Sequence, residues 1–301
     1  MKLAVTGGTG FVGGHLLSAA ADAGHEVWAL TRRPQPARSG VEWVPGSLDD
    51  AASLAALCDG AEAVIHVAGV INAPTAAEFE AGNVGGTKAL LGAAATAGVR
   101  RFVHVSSLAA REPQLSLYGA SKARSEVAVQ TSPLDWAIVR PPAVYGPGDR
   151  ETLELFKMAR RGLVLLPPEG RLSLIHVADL ARLLLALAAP GAPGGLLVEP
   201  DDGTAGGWTH RAFATQLGAA FGRNVTALSA PAGLLRAAAR VDKLVRGRNA
   251  KLTPDRASYF AHPDWVASPA RKVPAELWRA EIKTPEGLAE TARWYEREGW
   301  L

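Results

Sequence analysis

"TGGTGFVGGHLL", residues 6–17, follows the short apolar run "LAV" and opens into a stretch of helix formers, and its reading decides the fold. Glycines at 7, 10 and 13 recur at steps of three. Glycine permits a tight turn and a close backbone approach to an anion, while the unpaired N–H groups and dipole of the following helix favour negative charge. With a strand before it and a helix after it, the triplet reads as the pyrophosphate loop of a dinucleotide-binding βαβ unit. Gly7, Gly10, Phe11, Val12 and Gly13 are the first candidate cofactor-binding residues.

Outward from the loop, short runs rich in Val, Ile and Leu alternate with longer helical stretches. The runs "KLAVTG", "EVWALTR", "AVIHVAG", "RFVHVSS" and "WAIVRP" read as strands. Between them "GGHLLSAAADAG", "SLAALCDG" and "NVGGTKALLGAAATAG" carry apolar residues at three- and four-residue steps and close on glycine. This is the pattern of an α/β fold, a Rossmann-like doubly wound parallel sheet whose strands are covered on both faces. Ligands of such sheets bind beyond the carboxyl ends of the strands, so residues just after each strand are the ones to inspect.

Composition narrows the function classes. The chain of 301 residues is 48% apolar and 20% charged, which suits a folded core rather than disorder. With 32 Lys+Arg against 29 Asp+Glu, the bias is too small to argue for a nucleic-acid partner. The single cysteine, Cys58, excludes an intrachain disulfide, suits a reducing compartment and reads as a core residue. The longest apolar run, "LLLALAA" at 183–189, is too short to span a bilayer, and the start of the chain lacks a signal-peptide core, so a cytoplasmic protein is expected.

The end of the second strand tests which dinucleotide binds. NAD sites usually place an acid there to accept from the adenosine ribose, whereas this chain has Thr31, Arg32 and Arg33. A guanidinium pairs with a 2′-phosphate that a carboxylate would repel, so NADP is favoured, with NAD as the alternative. No pair of histidines has metal-ligand spacing with an acid or thiol, and no metal is expected. His66 and His104 fall inside predicted strands and read as hydrogen-bonded core residues.

The stretch "LYGASKARSE", residues 117–126, sets Tyr118 and Lys122 four apart, on one face of a helix. Taken with "TGGTGFVGG", "VIHVAG", "NVGGTKALLGAA", "VSSLAA", "RPPAVYGPGD" and "LIHVADLARLL" in this order, the chain resembles the extended short-chain dehydrogenase/reductase family. That group includes sugar-nucleotide epimerases and dehydratases, 3β-hydroxysteroid dehydrogenases and dihydroflavonol reductases. The resemblance runs from residue 1 to about 200 and more loosely to the end.

It implies Tyr118 as general acid/base, Lys122 as its partner on the nicotinamide ribose, Ser107 as the hydroxyl holding the substrate oxygen, and Asn83 as a supporting residue. Around the cofactor it implies Ser47, Leu48, Val67, Ala68, Gly69, Pro141 and Val144, besides Tyr118 and Lys122 themselves. An ammonium a few ångströms from a phenol can lower its pKa from near 10 by roughly one to three units, which predicts a Tyr118 able to exchange protons near neutrality. Two departures from the family pattern matter. Ser47 in "GSL" stands where relatives often carry an acid that accepts from the adenine amine, and only ten residues separate Ser107 from Tyr118, which argues against a bulky nucleotide sugar.

The resemblance also implies a smaller C-terminal substrate-binding lobe. The expected division is a cofactor domain of 1–145 and 177–200 and a lobe of 146–176 and 201–301, with the site in the cleft between them. Tyr145 and Arg150 follow a strand end, but a packed aromatic and a solvated charge are the simpler readings, and His176 reads as structural. Trp208, Trp265, Trp278, Trp294 and Trp300 read as core packing first and as the lining of an apolar pocket second. "PAGLLRAAARVDKLVRGRNAK", residues 231–251, sets Leu234, Ala238, Val241 and Val245 on one helical face with basic residues elsewhere, a pattern shared by solvated helices and by helices that meet an anionic substrate or membrane.

The first reading is an NADP-dependent oxidoreductase moving a hydride on a hydrophobic alcohol/ketone pair. The alternatives are a sugar-nucleotide epimerase or dehydratase, which retains its nucleotide, and a cofactor-binding sensor or assembly subunit. The partner is a small-molecule substrate, and the resemblance allows a homodimer built on a helix pair of the main domain.

Overall fold

The computed structural model describes residues 1–247 and 254–301. In chain order the first half contains β1 (Lys2–Thr6), α1 (Phe11–Asp22), β2 (Glu26–Thr31), β3 (Val41–Pro45), α2 (Ala51–Cys58), β4 (Ala63–His66), α3 (Ala76–Phe79), α4 (Gly86–Thr96), β5 (Arg101–Val105), α5 (Leu117–Gln130) and β6 (Asp135–Val139). There follow β7 (Ala143–Tyr145), α6 (Leu153–Arg160), β8 (Leu163–Leu166), β9 (Arg171–Leu172), β10 (Leu174–His176), α7 (Val177–Ala188) and β11 (Leu196–Val198). The remainder holds β12 (Trp208–Thr209), α8 (His210–Ala219), β13 (Thr226–Ser229), α9 (Ala232–Arg246), α10 (Pro254–Phe260), β14 (Asp264–Trp265) and α11 (Thr284–Arg297).

The chain forms two compact units. The first comprises Met1–Pro141, Ala178–Glu199 and Arg271–Arg279, and the second Pro142–Val177, Pro200–Ala270 and Ala280–Leu301. The segment Arg271–Arg279 therefore clusters with the first unit, whereas the sequence reading left it with the smaller lobe. One bond shows why: the Glu199 N–H donates to the Arg271 carbonyl at 2.8 Å, extending the backbone beyond β11.

A seven-stranded sheet in the order β11-β6-β5-β4-β1-β2-β3 organises the first unit, and every pairing in it is parallel. Its central strands are buried on both faces: Leu3, Ala4, Val5, Val64, Ile65, Phe102 and Val103 are all fully enclosed. Such strands need no polar alternation, which is why the expected runs read as continuous apolar stretches and why all five became strands. The strand β3 was not expected. "VEWVP" is an edge strand with exposed Glu42 and Pro45 and a single neighbour, β2, so little in its composition marks it.

Strand order reverses between β1 and β4, which pair in register with Thr6 opposite His66. The crevice that opens there is where a doubly wound sheet receives its ligand. The loops of residues 7–10 and 67–70 leave the sheet at this point.

The second unit is built on smaller sheets, β7 with β10, β8 with β13, and β9 between β12 and β14. Its core gathers Tyr145, Phe156, Leu174, Phe213, Leu217, Leu288 and Tyr295, with Trp208, Trp294 and Trp300 packed against it. Tyr145 is fully buried and edge-on to His176, so it is a core aromatic, and Arg150 lies 4.5 Å over the Trp300 ring. Trp265 is buried, and Trp278, in the first unit, donates its indole N–H to the Asp179 carbonyl at 3.1 Å. Of the basic stretch read at 231–251, the last four residues lie outside those described. Among the described residues no helix is long and apolar enough to cross a membrane.

Candidate active site

The glycine loop shows what its spacing is for. Gly7 has φ +77°, a conformation that a side chain disfavours, and a Cβ there would lie 2.6 Å from the Ala68 nitrogen. At Gly13 a Cβ would meet the Gly7 carbonyl oxygen at 2.0 Å, so the first turn of α1 can press against the loop only without one. Gly10 caps α1 with no side-chain hydrogen bond, and its first turn has no acid. The helix therefore presents its N-terminus without an internal anion, and loop, turn and dipole fit a pyrophosphate. Gly13→Ala is expected to weaken dinucleotide binding at least about 100-fold, because the loop must move; a fluorescence titration with NADPH showing affinity unchanged would refute the cradle.

Beyond β2, Thr31 is buried and its hydroxyl donates to the Arg33 carbonyl at 2.7 Å, which folds the turn that carries Arg32 and Arg33. Both arginines are exposed. Ser47 bonds Asp49 through its hydroxyl, and this bond, helped by the nearby Arg32 charge, holds the Asp49 carboxyl below its ordinary value. Leu48 packs over Gly86 at the start of α4, where a Cβ would touch Leu48 Cδ1 at 2.8 Å. Sequence reasoning did not single out Arg38, whose guanidinium donates to the Gly14 carbonyl at 2.9 Å and to Ser18, bracing α1 from the same loop.

Val67, Ala68 and Gly69 follow β4. The Ala68 N–H donates to the Thr6 hydroxyl at 3.3 Å, and a Cβ at Gly69 would sit 3.2 Å from Asn83 Oδ1 and 3.3 Å from Lys122 Nζ. Gly69 thus keeps open the space where Asn83 and Lys122 converge. Asn83 lies on a π-helical turn, Glu80–Gly85, just before α4. From there its side chain accepts from Val70 N–H at 2.6 Å and donates to the Val70 carbonyl at 2.9 Å and the Ser121 hydroxyl at 2.8 Å. It therefore ties the loop after β4 to α5.

Ser116 caps α5, accepting from Gly119 N–H at 2.9 Å, and so starts the helix in time to place Tyr118 in its first turn. Ser107, two residues beyond β5, accepts from Ala109 N–H at 3.2 Å, and its hydroxyl is near enough to Tyr118 to favour the ionised phenol. Pro141, after β6, accepts from Leu108 N–H at 3.0 Å and fixes the turn that follows the serine. Val144 belongs to β7 of the second unit, where it pairs with Ile175. Ser107, Tyr118, Lys122, Asn83 and Gly69 are thereby gathered at the carboxyl edge of β4 and β5.

One expectation is overturned. The half-buried Tyr118 phenol is not pulled down by its lysine: burial pushes its pKa above the ordinary value, with the nearby Ser107 hydroxyl opposing. Lys122 is 4% exposed and donates to the Val105 carbonyl at 2.7 Å. Desolvation lowers its pKa to about 8, against the Glu126 charge, which raises it. In a poorly solvated site a phenolate is disfavoured more than a neighbouring ammonium favours it.

His66 and His104 are fully buried and stacked 5.3 Å apart below this site. His66 bonds Thr6 at 2.6 Å and Thr87 at 2.9 Å, and His104 bonds Ser125 at 3.0 Å. Burial and the Lys122 charge push His66 down to about 3 and His104 well below its usual range, so both are neutral packing groups. Among the described residues no three His, Cys, Asp or Glu side chains assemble to hold a metal.

The sequence reading missed a buried ion network behind the serine. Glu126, one turn beyond Lys122, takes two bonds from Arg140 at 2.8 and 2.6 Å and one from the Ser106 hydroxyl. Arg140 reaches on to Glu199 at 3.3 Å, and Glu199 lies 3.7 Å from Arg111. Its signal was the i, i+4, i+8 row Tyr118, Lys122, Glu126, which puts the acid on the same face of α5 as the tyrosine and the lysine. A cavity of about 580 Å³ adjoins this network, lined by Val127, Trp136, Arg140 and Leu197 among others.

The chain matches the NAD dependent epimerase/dehydratase family over residues 3–196. It belongs to that family. It falls in the extended short-chain dehydrogenase/reductase group and is an NAD(P)-dependent oxidoreductase. It is 40% identical over 99% of its length, and 96% of the relative's, to a ceramide reductase of Caulobacter vibrioides. It is 33% identical, over 67% of its length and 69% of the relative's, to 4-hydroxy-2-methyl-3-oxo-4-farnesyl-3,4-dihydroquinoline-1-oxide ketoreductase of Stigmatella aurantiaca. In fold it is similar to the human epimerase family protein SDR39U1 with NADPH, at 22% identity and TM-score 0.77 over 97% of this chain and 99% of that one.

Proposed function

We propose that the protein reduces a ketone on a long-chain, ceramide-like lipid with NADPH, Tyr118 donating the proton. The observation that carries the reading is the Tyr118 phenol, raised in pKa by burial, close to the Ser107 hydroxyl and set one helical turn from Lys122. A phenol that keeps its proton is a donor, and reduction is the direction that consumes one. The nicotinamide, when bound, supplies the hydride. Ser107 holds the substrate oxygen while negative charge develops on it, and Tyr118 protonates that oxygen. Lys122, fixed by Val105, keeps positive charge beside the phenol and is available to the nicotinamide ribose.

The lipid substrate rests on the similarity to ceramide reductase across nearly the whole chain. The preference for NADPH rests on the exposed Arg32 and Arg33 beyond β2. A cytoplasmic location and a homodimer belong to the same proposal; the buried, free Cys58 suits the former.

Purified protein mixed with NADPH and detergent-dispersed long-chain ketolipids, steroids or aryl ketones is expected to consume reduced-nicotinamide absorbance with the ketolipid. Failure with every ketone, or release of tightly held NAD on denaturation, would instead point to an epimerase. In the same assay Arg32→Ala/Arg33→Ala is expected to raise the KM for NADPH about 10- to 100-fold with NADH unaffected, the cost of lost charge-assisted bonds. An equal change for both cofactors would remove the phosphate assignment.

A further inference from the structure

The second unit leaves apolar side chains uncovered in two places that the reduction does not use. Of its residues, Leu163 (41%), Leu165 (54%) and Leu228 (49%) are exposed on one face of the β8–β13 pair, where Leu165 and Leu228 are register partners. Their alternate neighbours Val164 and Leu166 point the other way and are buried. Two residues after β13 the chain enters α9, where Leu234 is 62% exposed, Leu244 85% and Val245 77%.

At roughly 100° per residue, Leu234, Ala237, Leu244 and Val245 fall in an arc of about 100°. Exposed Arg240 borders that arc, and buried Ala239 faces away from it. The expected face through Leu234 and Val245 is thus turned outward. A solvated helix would put polar residues there.

Charge is segregated in the same stretches. Residues 157–168 and 222–246 hold eight Lys and Arg against the single acid Asp242, while outside them 24 Lys and Arg face 28 Asp and Glu; of the eight, Lys157 is paired with Glu154 at 2.9 Å and Arg246 with Asp242 at 3.2 Å. Arg160 and Arg161 immediately precede β8, Arg223 precedes β13, and all three are exposed. Outward leucines flanked by the exposed cations Arg160, Arg161, Arg223 and Arg240 have the chemistry of segments that rest on anionic lipid: the leucines enter the headgroup boundary and the cations meet phosphate.

We propose that α9 and the outer face of the β8–β13 pair dock the protein on the surface of an anionic phospholipid bilayer. The inference stands apart from the substrate assignment, because it needs neither cofactor nor turnover. A reductase of water-soluble ketones with this surface would still bind membrane.

The test is co-sedimentation of the full-length protein with vesicles of phosphatidylcholine alone or with about a third phosphatidylglycerol. Binding to the anionic vesicles is expected to be at least about tenfold tighter, and to fall steeply at high salt. Leu244→Ser/Val245→Ser and, separately, Leu165→Ser/Leu228→Ser should each cut that binding several-fold while leaving the urea midpoint unchanged, since all four side chains are exposed. No sedimentation with anionic vesicles, or equal binding by the variants, overturns the proposal. A concentration-dependent dimer abolished by the same variants, with no vesicle binding, overturns it in favour of a second copy covering the patch.

Discussion

Replacing Tyr118 by phenylalanine is expected to lower kcat by on the order of 10²- to 10⁴-fold and to leave NADPH affinity unchanged. The substitution removes one hydroxyl and keeps the ring that packs 6.3 Å from Phe79, so α5 and the glycine loop have no reason to move. Loss of cofactor binding in the variant would show that the tyrosine is structural, and unaltered turnover would remove it from the chemistry. A pH series separates it from its lysine. Lys122, with its pKa lowered to about 8, is an ammonium below that pH and an amine above it. Activity and NADPH affinity should therefore fall as pH rises through about 8, although an ordinary lysine would hold its proton to about 10.4. The Tyr118 phenol, displaced upward, stays protonated through that limb. In Tyr118→Phe the alkaline limb in NADPH binding should persist, because it belongs to Lys122.

Arg140→Met is expected to cost about 3–5 kcal/mol of stability, since it strands Glu126 and Glu199, both nearly or fully buried, without their shared cation. Urea unfolding monitored by tryptophan fluorescence measures it. The companion Glu126→Met/Arg140→Met should recover the part of the loss that comes from Glu126, because a buried pair replaced by apolar groups of similar size is often nearly neutral, while Glu199 keeps its longer contact to Arg111 at 3.7 Å. A loss below about 1 kcal/mol in the single variant would mean that water from the adjoining cavity already solvates the carboxylates. The network also ties the ends of β5, β6 and β11 to the helix that carries Tyr118 and Lys122, so the single variant should lose turnover beyond its loss of folded protein.

The parts of this molecule that depend on neighbouring residues were readable in its sequence. The glycine spacing gave the loop, the apolar runs gave five strands of the main sheet, and the four-residue step gave the Tyr118–Lys122 pair. Features that depend on distant chain segments were not. Glu126, Arg140 and Glu199 are separated by up to 73 positions, and charged residues met singly in a sequence default to the surface. The direction of the Tyr118 shift was misread because spacing shows that an ammonium is near but not how much solvent the phenol loses on folding. The strand β3 escaped because an edge strand needs only one apolar face. The outward side of α9 escaped because periodicity reveals a face without saying what it meets.

The interleaving of the two units has a consequence for how the polypeptide emerges from the ribosome. The strand β11 joins the sheet beside β6 only after the intervening β7–α7 stretch, and Glu199 waits for Arg271, 72 residues later. At roughly 5–20 residues per second that wait is about 4–14 s. During it the nascent sheet carries an incomplete margin, and its last backbone donor is unmet. A chaperone that shields this margin during synthesis would act on a vulnerability that the finished molecule no longer displays.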